Sequence, residues 1–310
     1  MPLLPSLAPL MEQVSIKSLK DYYNITAVKV LSLAAFYNSS DVFDLNSYIC
    51  RHLSKLLYSV ESFIMIIEYG RDYSGAVSLA RMIIDNTVVL RYIYDSDDRQ
   101  QTLLRHCLYI IDGLNAKDTS RARITSWLNN LPEEERKVVE ETIKKSDENR
   151  EQIIQASLRL LTEHPYMKDT PEMFEKLIRS GEWAFTQFPS TQKNGKFKHK
   201  KWETLYKERG EDFSPDTTAF YSQFVHGLAY SNIKTHPTIE NFRDPMTEVI
   251  QMLILIQDYL VRRTYDIQTE EVRQTYSMME KDRIENSTEI VYQALVDTHR
   301  HLYIQDNQDS

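Results

Sequence analysis

A stripe of polar residues runs through the otherwise apolar segment 76–93. Ser78, Arg81 and Asp85 are spaced at i, i+3 and i+7, so they share one face if the segment is an α-helix. A buried arginine needs a partner, because an uncompensated guanidinium in a core costs on the order of several kcal/mol. We therefore expect Arg81 to meet either Asp85 or a polar group on another helix.

A second polar face lies in the segment 214–237, where Ser214 and the proline after it are typical of a helix start. Ser222 and His226 stand one helical turn apart in this segment, beside Tyr221. A histidine can accept or donate a proton during catalysis, and an arginine can stabilise negative charge that develops on a substrate. If the two helices meet, the catalytic candidates are Arg81, His226, Asp85, Ser222 and Tyr221. The alternative is that these groups form a structural hydrogen-bond network.

Both segments carry a resemblance to known helical proteins. The run SLARMIIDNTVVLRYIYD resembles the Leu-Xaa-Arg-then-acid helix of a family of helical bacterial proteins of unknown function. The run YSQFVHG resembles the Tyr-Xaa-Xaa-Phe/Ser-Xaa-Xaa-His helix that follows it in that family. More distantly, both are similar to HEPN-type helical bundles, many of which are RNases or parts of toxin and phage-defence systems.

The resemblance implies a bacterial effector or accessory protein of a defence or toxin-type system that acts on RNA or nucleotides. If it is an enzyme, the implied activity is that of a metal-independent ribonuclease. A partner protein from the same operon and a homodimer are further expectations. The alternative is a non-enzymatic helical interaction or scaffold protein whose buried polar residues are structural.

The segment 190–210 is rich in lysine and aromatic residues, within a chain whose formal net charge is -8. Lysines can meet phosphates while aromatic rings stack on bases, as in proteins that bind single strands. The candidate residues for nucleic-acid binding are Lys196, Lys198, Lys200, Lys201 and Trp202. Because few apolar residues are present, we expect a mobile, exposed loop, and the alternative is that its charges are simply hydrated.

Two histidines outside these segments are expected to be structural. Arg159 and His164 fit the Arg-x4-6-His spacing of HEPN ribonucleases, but short spacings of this kind arise by chance, and Pro165 ends the helix directly after the histidine. His106 lies beside the apolar face of a predicted helix over 99–114, and no second histidine stands four residues away.

Several kinds of site are excluded by the sequence. The 7 glycines are scattered without a GxGxxG or GxxxxGK motif, and HExxH is absent, so we expect no cofactor and no metal. Cys50 and Cys107 lie in predicted helices, and neither belongs to a CxxC pair. We therefore expect both to be small buried residues of a protein in a reducing compartment, and not a disulfide or a zinc site. The N-terminal residues lack the basic start of a signal peptide, so we expect a cytoplasmic protein that makes no membrane contact.

The elements that must position these residues are helices. Helical apolar spacing recurs along the chain, and no alternating run is bounded by hairpin turns. We predict an all-α protein, a single large helical bundle of about ten helices with a HEPN-like core. Its central helix covers 72–97 and forms an antiparallel hairpin with a helix over 45–69. The predicted organisation is an irregular segment 1–24, a single helical domain 25–303 with the mobile loop at about 190–210, and a polar tail 304–310.

Overall fold

A computed structural model of the chain describes residues 14–70, 72–96, 98–115, 127–165, 171–180, 183, 202–207, 215–225 and 237–264. All regular structure in these residues is helical, and none of them is in a strand. The prediction of an all-α protein is therefore confirmed, while the HEPN-like core stays a prediction.

The described residues form nine α-helices. Their bounds are α1 Ile16–Phe36, α2 Leu45–Met65, α3 Tyr73–Tyr94, α4 Arg99–Asn115, α5 Glu133–Thr162, α6 Pro171–Ser180, α7 Trp202–Lys207, α8 Pro215–Val225 and α9 Arg243–Thr264. A π-helical turn, Ile66–Gly70, continues α2, and a 3₁₀ turn, Ile239–Phe242, leads into α9. Residues 265–310 lie outside the described residues, so the polar tail 304–310 stays a prediction.

Backbone contacts divide the chain into two compact units. The first contains the described residues up to Arg91 and those of α8, the 3₁₀ turn and α9. The second contains the described residues from Tyr92 to the end of α7. The single helical domain over 25–303 stays a prediction.

The first helix begins earlier than the sequence predicted. The Ser15 hydroxyl accepts a hydrogen bond from the backbone N–H of Ser18 at 3.1 Å, and the Ser18 hydroxyl accepts one from the backbone N–H of Ser15 at 2.9 Å. This reciprocal cap satisfies two donors at the start of α1. Leu19 and Tyr23 then continue the buried face. The expectation that residues 16–24 are irregular was therefore wrong, because the cap pairs two serines and lacks the usual glutamate.

The predicted hairpin of the second and third helices is present. Asp44 caps α2 by accepting from the backbone N–H of Ser47 at 3.2 Å and from its hydroxyl at 3.0 Å. The connection to α3 is short, and His52 on α2 lies close to the backbone of Asn86 on α3. A short connection and a contact between distant turns are what an antiparallel pair requires.

The core of the first unit joins α1 to α2 and α9. Lys20 on α1 meets Glu68 of the π-helical turn at 2.6 Å. Gln257 on α9 donates to the Thr26 hydroxyl on α1 at 2.9 Å. The apolar run of α9 is buried, as its all-round hydrophobicity predicts. Its buried residues are Val249, Ile250, Met252, Leu253, Leu255 and Ile256.

In the second unit, α4 lies antiparallel to the second half of α5. His164, after the end of α5, meets the Gln100 carbonyl oxygen at 3.0 Å, and Arg150 donates to the Leu114 carbonyl oxygen at 2.9 Å. The first half of α5 extends past this contact and is mostly exposed. The wholly polar stretch 146–152 is a mostly exposed part of one continuous helix.

Candidate functional site

Arg81 takes the nearer of the two partners that the sequence allowed. Its Nε donates to Asp85 Oδ2 at 3.0 Å, one turn along α3. The two side chains keep 17% and 30% of their surface exposed, so Arg81 is half-buried rather than fully buried. The pair is an intrahelical ion pair, which fixes the guanidinium on α3 but does not by itself join two helices.

Tyr221, on α8, is the most buried of the catalytic candidates that the structure describes. It is 1% exposed, and its hydroxyl is buried without a hydrogen-bond partner in the part of the chain that the structure describes. Burial, with smaller contributions from Glu248, Tyr73 and Asp244, raises the pKa of the phenol. An unsatisfied buried hydroxyl costs about 1 to 3 kcal/mol, so this position needs an explanation.

The helix α8, which carries Tyr221, packs against α3 through aromatic rings. The Phe224 ring meets the Tyr73 ring edge-on at 5.3 Å, and Tyr73 meets Phe242 of the 3₁₀ turn at 5.6 Å. The helix α8 therefore packs at the first turn of α3, while the shared site of Arg81 and His226 stays a prediction. Arg81 stands eight residues after Tyr73, about 12 Å further along α3 at 1.5 Å per residue.

The remaining catalytic candidates lie on α8 or just beyond it. Ser222 is half-buried beside Tyr221. His226 lies outside the described residues, so its meeting with Arg81 stays a prediction. Among the five candidates, the contact that the structure gives is the one between Arg81 and Asp85.

Two other histidines have structural contacts. His164 is 2% exposed and is held by the Gln100 carbonyl oxygen, while Arg159 of the same motif is exposed. Burial lowers the pKa of His164, which favours the neutral ring. His106 is fully buried, and its Nδ1 lies 2.8 Å from the Tyr94 hydroxyl, as expected for a structural histidine.

The sequence interpretation missed the most buried arginine among those described. Arg105 is 8% exposed, donates from Nη1 to the Tyr92 carbonyl oxygen at 2.7 Å, and holds its guanidinium carbon 4.1 Å from the centre of the Tyr92 ring. Its position between Leu104 and His106, in the middle of an apolar helix face, was the signal available in the sequence. Stacking on an aromatic ring compensates part of the cost of burying this charge.

A group of aromatic rings in the second unit contains Trp202, the one nucleic-acid candidate that the structure describes. Trp183 is the centre of this tryptophan cluster. Its ring lies 6.0 Å from Tyr92, 5.6 Å from Tyr109 and 6.2 Å from Trp202, and Trp202 lies 5.7 Å from Tyr206. Trp202 is 44% exposed, whereas Tyr206 is 2% exposed. Lys196, Lys198, Lys200 and Lys201 lie outside the described residues. The expectation of a mobile, exposed loop over 190–210 was wrong for residues 202–207, which form α7, because Leu205 and Tyr206 are buried there. For the remaining residues of that segment it stays a prediction.

The cysteines and the acidic residues contribute no metal site here. Cys50 and Cys107 are buried, and burial raises the pKa of their thiols to about 11 and about 12, so both stay protonated. Across the described ranges, no group of three or more His, Cys, Asp or Glu side chains is arranged to hold a metal ion. Nor does any helix in those ranges have the length and apolar content to cross a membrane.

Comparison of the chain with protein-family models, with curated proteins and with solved structures gave no match. Fold and site together define the class as an all-α protein with a half-buried Arg–Asp pair and a partly exposed tryptophan cluster.

Proposed function

We propose that this protein binds single-stranded RNA or a nucleotide through the lysine-rich segment and Trp202, as a HEPN-like effector or accessory protein of a bacterial defence or toxin-type system. The observation that supports binding most directly is the setting of Trp202. The residue is 44% exposed, with the Trp183 ring edge-on at 6.2 Å and the Tyr206 ring tilted by 30° at 5.7 Å. An exposed ring that is already fixed loses little freedom when a base stacks on it.

The charge distribution supports the same ligand. Lys196, Lys198, Lys200 and Lys201 directly precede Trp202 in the chain, so phosphates next to a stacked base would be within reach of their side chains. The chain as a whole carries a formal net charge of -8, which repels phosphate over the rest of the surface. A local lysine cluster is therefore the place where an RNA strand can be bound.

Within this proposal, RNA cleavage is assigned to the first unit. His226 would transfer the proton, and Arg81, oriented by its 3.0 Å contact with Asp85, would stabilise the charge that develops on the phosphate. No metal ion takes part in this chemistry, so a chelator should leave it unchanged.

RNA binding can be tested with fluorescently labelled single strands at several salt concentrations. We expect Trp202→Ala to weaken binding about 5- to 150-fold, since stacking on one aromatic ring contributes about 1 to 3 kcal/mol. Trp127→Ala is the matched control, because Trp127 is also exposed, at 54%, and lies outside the cluster. Equal binding by both variants and the wild-type chain would remove Trp202 from the proposal.

The lysines are tested by charge reversal at Lys198, Lys200 and Lys201. If all three meet phosphates, the slope of log affinity against log salt should flatten by about 2, at about 0.7 per phosphate on a single strand. Reversal of the exposed α5 residues Lys137, Lys144 and Lys145 is the control and should leave the slope nearly unchanged.

The second candidate function is that of a non-enzymatic interaction protein. The Arg81–Asp85 contact favours it, because an ion pair between i and i+4 also stabilises a helix without any catalytic purpose. Incubation of the purified chain with labelled RNA, with and without chelator, separates the two functions. Cleavage that survives the chelator and is lost in His226→Ala, with an unchanged melting temperature, supports the effector. Intact RNA under both conditions supports the interaction protein.

A further inference from the structure

The tryptophan cluster contains an offset pair of rings that ends in solvent. The Tyr206 and Trp202 rings lie one helical turn apart on α7, with centroids 5.7 Å apart and planes inclined by 30°. Aromatic rings prefer such an offset arrangement to a direct face-to-face one. Tyr206 is 2% exposed and Trp202 is 44% exposed. The pair therefore runs from the interior of the second unit to solvent, and the indole of Trp202 is its outer ring.

A third ring holds Trp202 from a different direction. The Trp183 ring lies 6.2 Å from it, with 75° between the planes. Trp183 also contacts Tyr92 at the end of α3 and Tyr109 on α4. Through these contacts the first residue of the short helix α7 is tied to two longer helices. The orientation of the indole is thus set before any ligand arrives, which lowers the entropic cost of stacking on it.

An unpaired nucleotide base is the group that can extend this pair of rings. The nine residues before Trp202 include five lysines, which attract the phosphates that accompany a base. A base inside a duplex already has neighbours on both faces, whereas an unpaired base has a face free to stack on an aromatic side chain.

The size of the indole indicates which bases it favours. Indole has two fused rings, as a purine does, so a purine can overlap all of it and a pyrimidine only part. Dispersion attraction grows with the number of atoms in contact, and stacking strength sets the base preference of single-strand binders. Phosphates are the same for all four nucleotides, so the lysines do not discriminate between bases.

We propose that the Trp202 site selects an unpaired purine, which stacks on the indole as the next ring after Tyr206. This inference rests on the proposed binding of RNA or a nucleotide at Trp202. A purine within a single strand and a free purine nucleotide present the same ring to the indole, and their phosphates distinguish them.

The test measures the binding of labelled RNA heptamers to the full-length chain by fluorescence anisotropy at one salt concentration. The probes are heptauridine and three heptamers with a central adenine, guanine or cytosine, so all four carry the same phosphates. We expect the adenine and guanine heptamers to bind about 3- to 10-fold more tightly than the other two. Unlabelled AMP is the competitor. A strand that binds more tightly than AMP identifies single-stranded RNA as the ligand, and equal affinities identify a free purine nucleotide.

Variants connect the purine preference to the indole. Trp202→Ala should bind all four heptamers with equal affinity. Trp202→Phe, which keeps one aromatic ring, should retain part of the preference. Trp127→Ala is the control, because Trp127 is exposed and outside the cluster, and it should keep the full preference. Since Trp202 is exposed, we expect its variants to fold, and their melting temperatures check this.

Three results overturn the inference. Equal affinity of the wild-type chain for the four heptamers excludes purine selection but leaves the proposed RNA binding intact. A purine preference that persists in Trp202→Ala places the selection elsewhere. Absence of binding by every heptamer and by AMP removes the inference together with the proposed function.

Discussion

Buried polar side chains of this protein differ in the hydrogen-bond partners and ring contacts that they make. His106 lies against the Tyr94 hydroxyl at 2.8 Å, and Arg105 combines a backbone carbonyl with the face of the Tyr92 ring. Tyr221, by contrast, has no hydrogen-bond partner for its hydroxyl in the described part of the chain. Burial of a polar group alone therefore does not identify a functional residue here, whereas burial without a partner does draw attention to one.

His52 should make the stability of the chain depend on pH. Burial, and then Lys55, lowers its pKa to about 4, against an ordinary value of 6.5. In the unfolded chain it takes up a proton near pH 6.5, but in the folded chain only near pH 4, so acid favours unfolding. Between these values the protein should lose on the order of 2 to 3 kcal/mol of stability through this residue.

The measurement is urea denaturation of the wild-type chain and of His52→Gln at intervals from pH 7 to pH 4. Carboxylates contribute equally to both chains, so the difference between them reports the histidine. Lys55→Gln should make the loss smaller, because it removes the nearby positive charge. A difference between wild type and His52→Gln that stays constant over this range would contradict the prediction.

The Arg81–Asp85 pair should contribute modestly to stability. A pair that keeps 17% and 30% of its side-chain surface exposed is partly screened by solvent. We expect Arg81→Ala to cost about 1 kcal/mol, well below the 3 to 5 kcal/mol of breaking a fully buried pair. A double-mutant cycle with Asp85→Ala measures the coupling, and the more exposed pair Arg262–Asp258 on α9 is the control. A cost above about 3 kcal/mol would show that Arg81 holds a second, buried carboxylate.

At the scale of helices, the two described glycines inside helices should respond in opposite ways to alanine. A Cβ at Gly75 would lie 2.5 Å from Asp72 Oδ2, so the carboxylate next to the start of α3 must move, whereas a Cβ at Gly113 in α4 meets nothing within 4 Å. Alanine is favoured over glycine in a helix by about 1 kcal/mol.

We therefore expect Gly113→Ala to stabilise the chain by about 0.5 to 1 kcal/mol, and Gly75→Ala to give no gain or a loss of about 1 kcal/mol. Chemical denaturation of the two variants checks this. Adding Asp72→Ala to Gly75→Ala should restore the usual preference for alanine. A gain for Gly75→Ala in the wild-type background would show that the Asp72 carboxylate moves freely.

The helices were predictable where the sequence carries both an apolar period and an ordinary cap. Asp44 and Gly70 bound α2 with its π-helical turn, and Pro171 begins α6, because these residue types have strong local preferences. The beginning of α1 was missed, since the Ser15–Ser18 cap differs from the common pattern.

The site was less predictable than the helices. Which of several polar side chains is buried depends on the register between segments distant in sequence, and period alone does not give that register. Thus Arg81 was expected to be the buried arginine, whereas Arg105 is more buried. The contact of Tyr73 with Phe224 joins positions 151 residues apart, and no local pattern specifies it.

At the scale of the whole molecule, trypsin should cut first between Lys193 and Lys201, before the start of α7. The sequence of this stretch has one apolar residue, Phe197, so we expect it not to order itself, and proteases cleave locally unfolded chain. The exposed lysines of α5 provide an internal control, because Lys137, Lys144 and Lys145 are on the surface but in a helix. Mass spectrometry of the first fragments distinguishes the sites. Early cleavage within α5 would contradict the prediction.

The exposed first half of α5 is a surface that can be engineered. Its charges pair along the helix itself, as in Lys137 with Glu133 and Lys145 with Glu141, and most of its side chains face solvent. Substitutions on this surface leave the packed part of α5, around Ser157 and Leu161, untouched. New crystal contacts, or an epitope that enlarges the particle for electron microscopy, can be engineered there without changing the buried residues of α5.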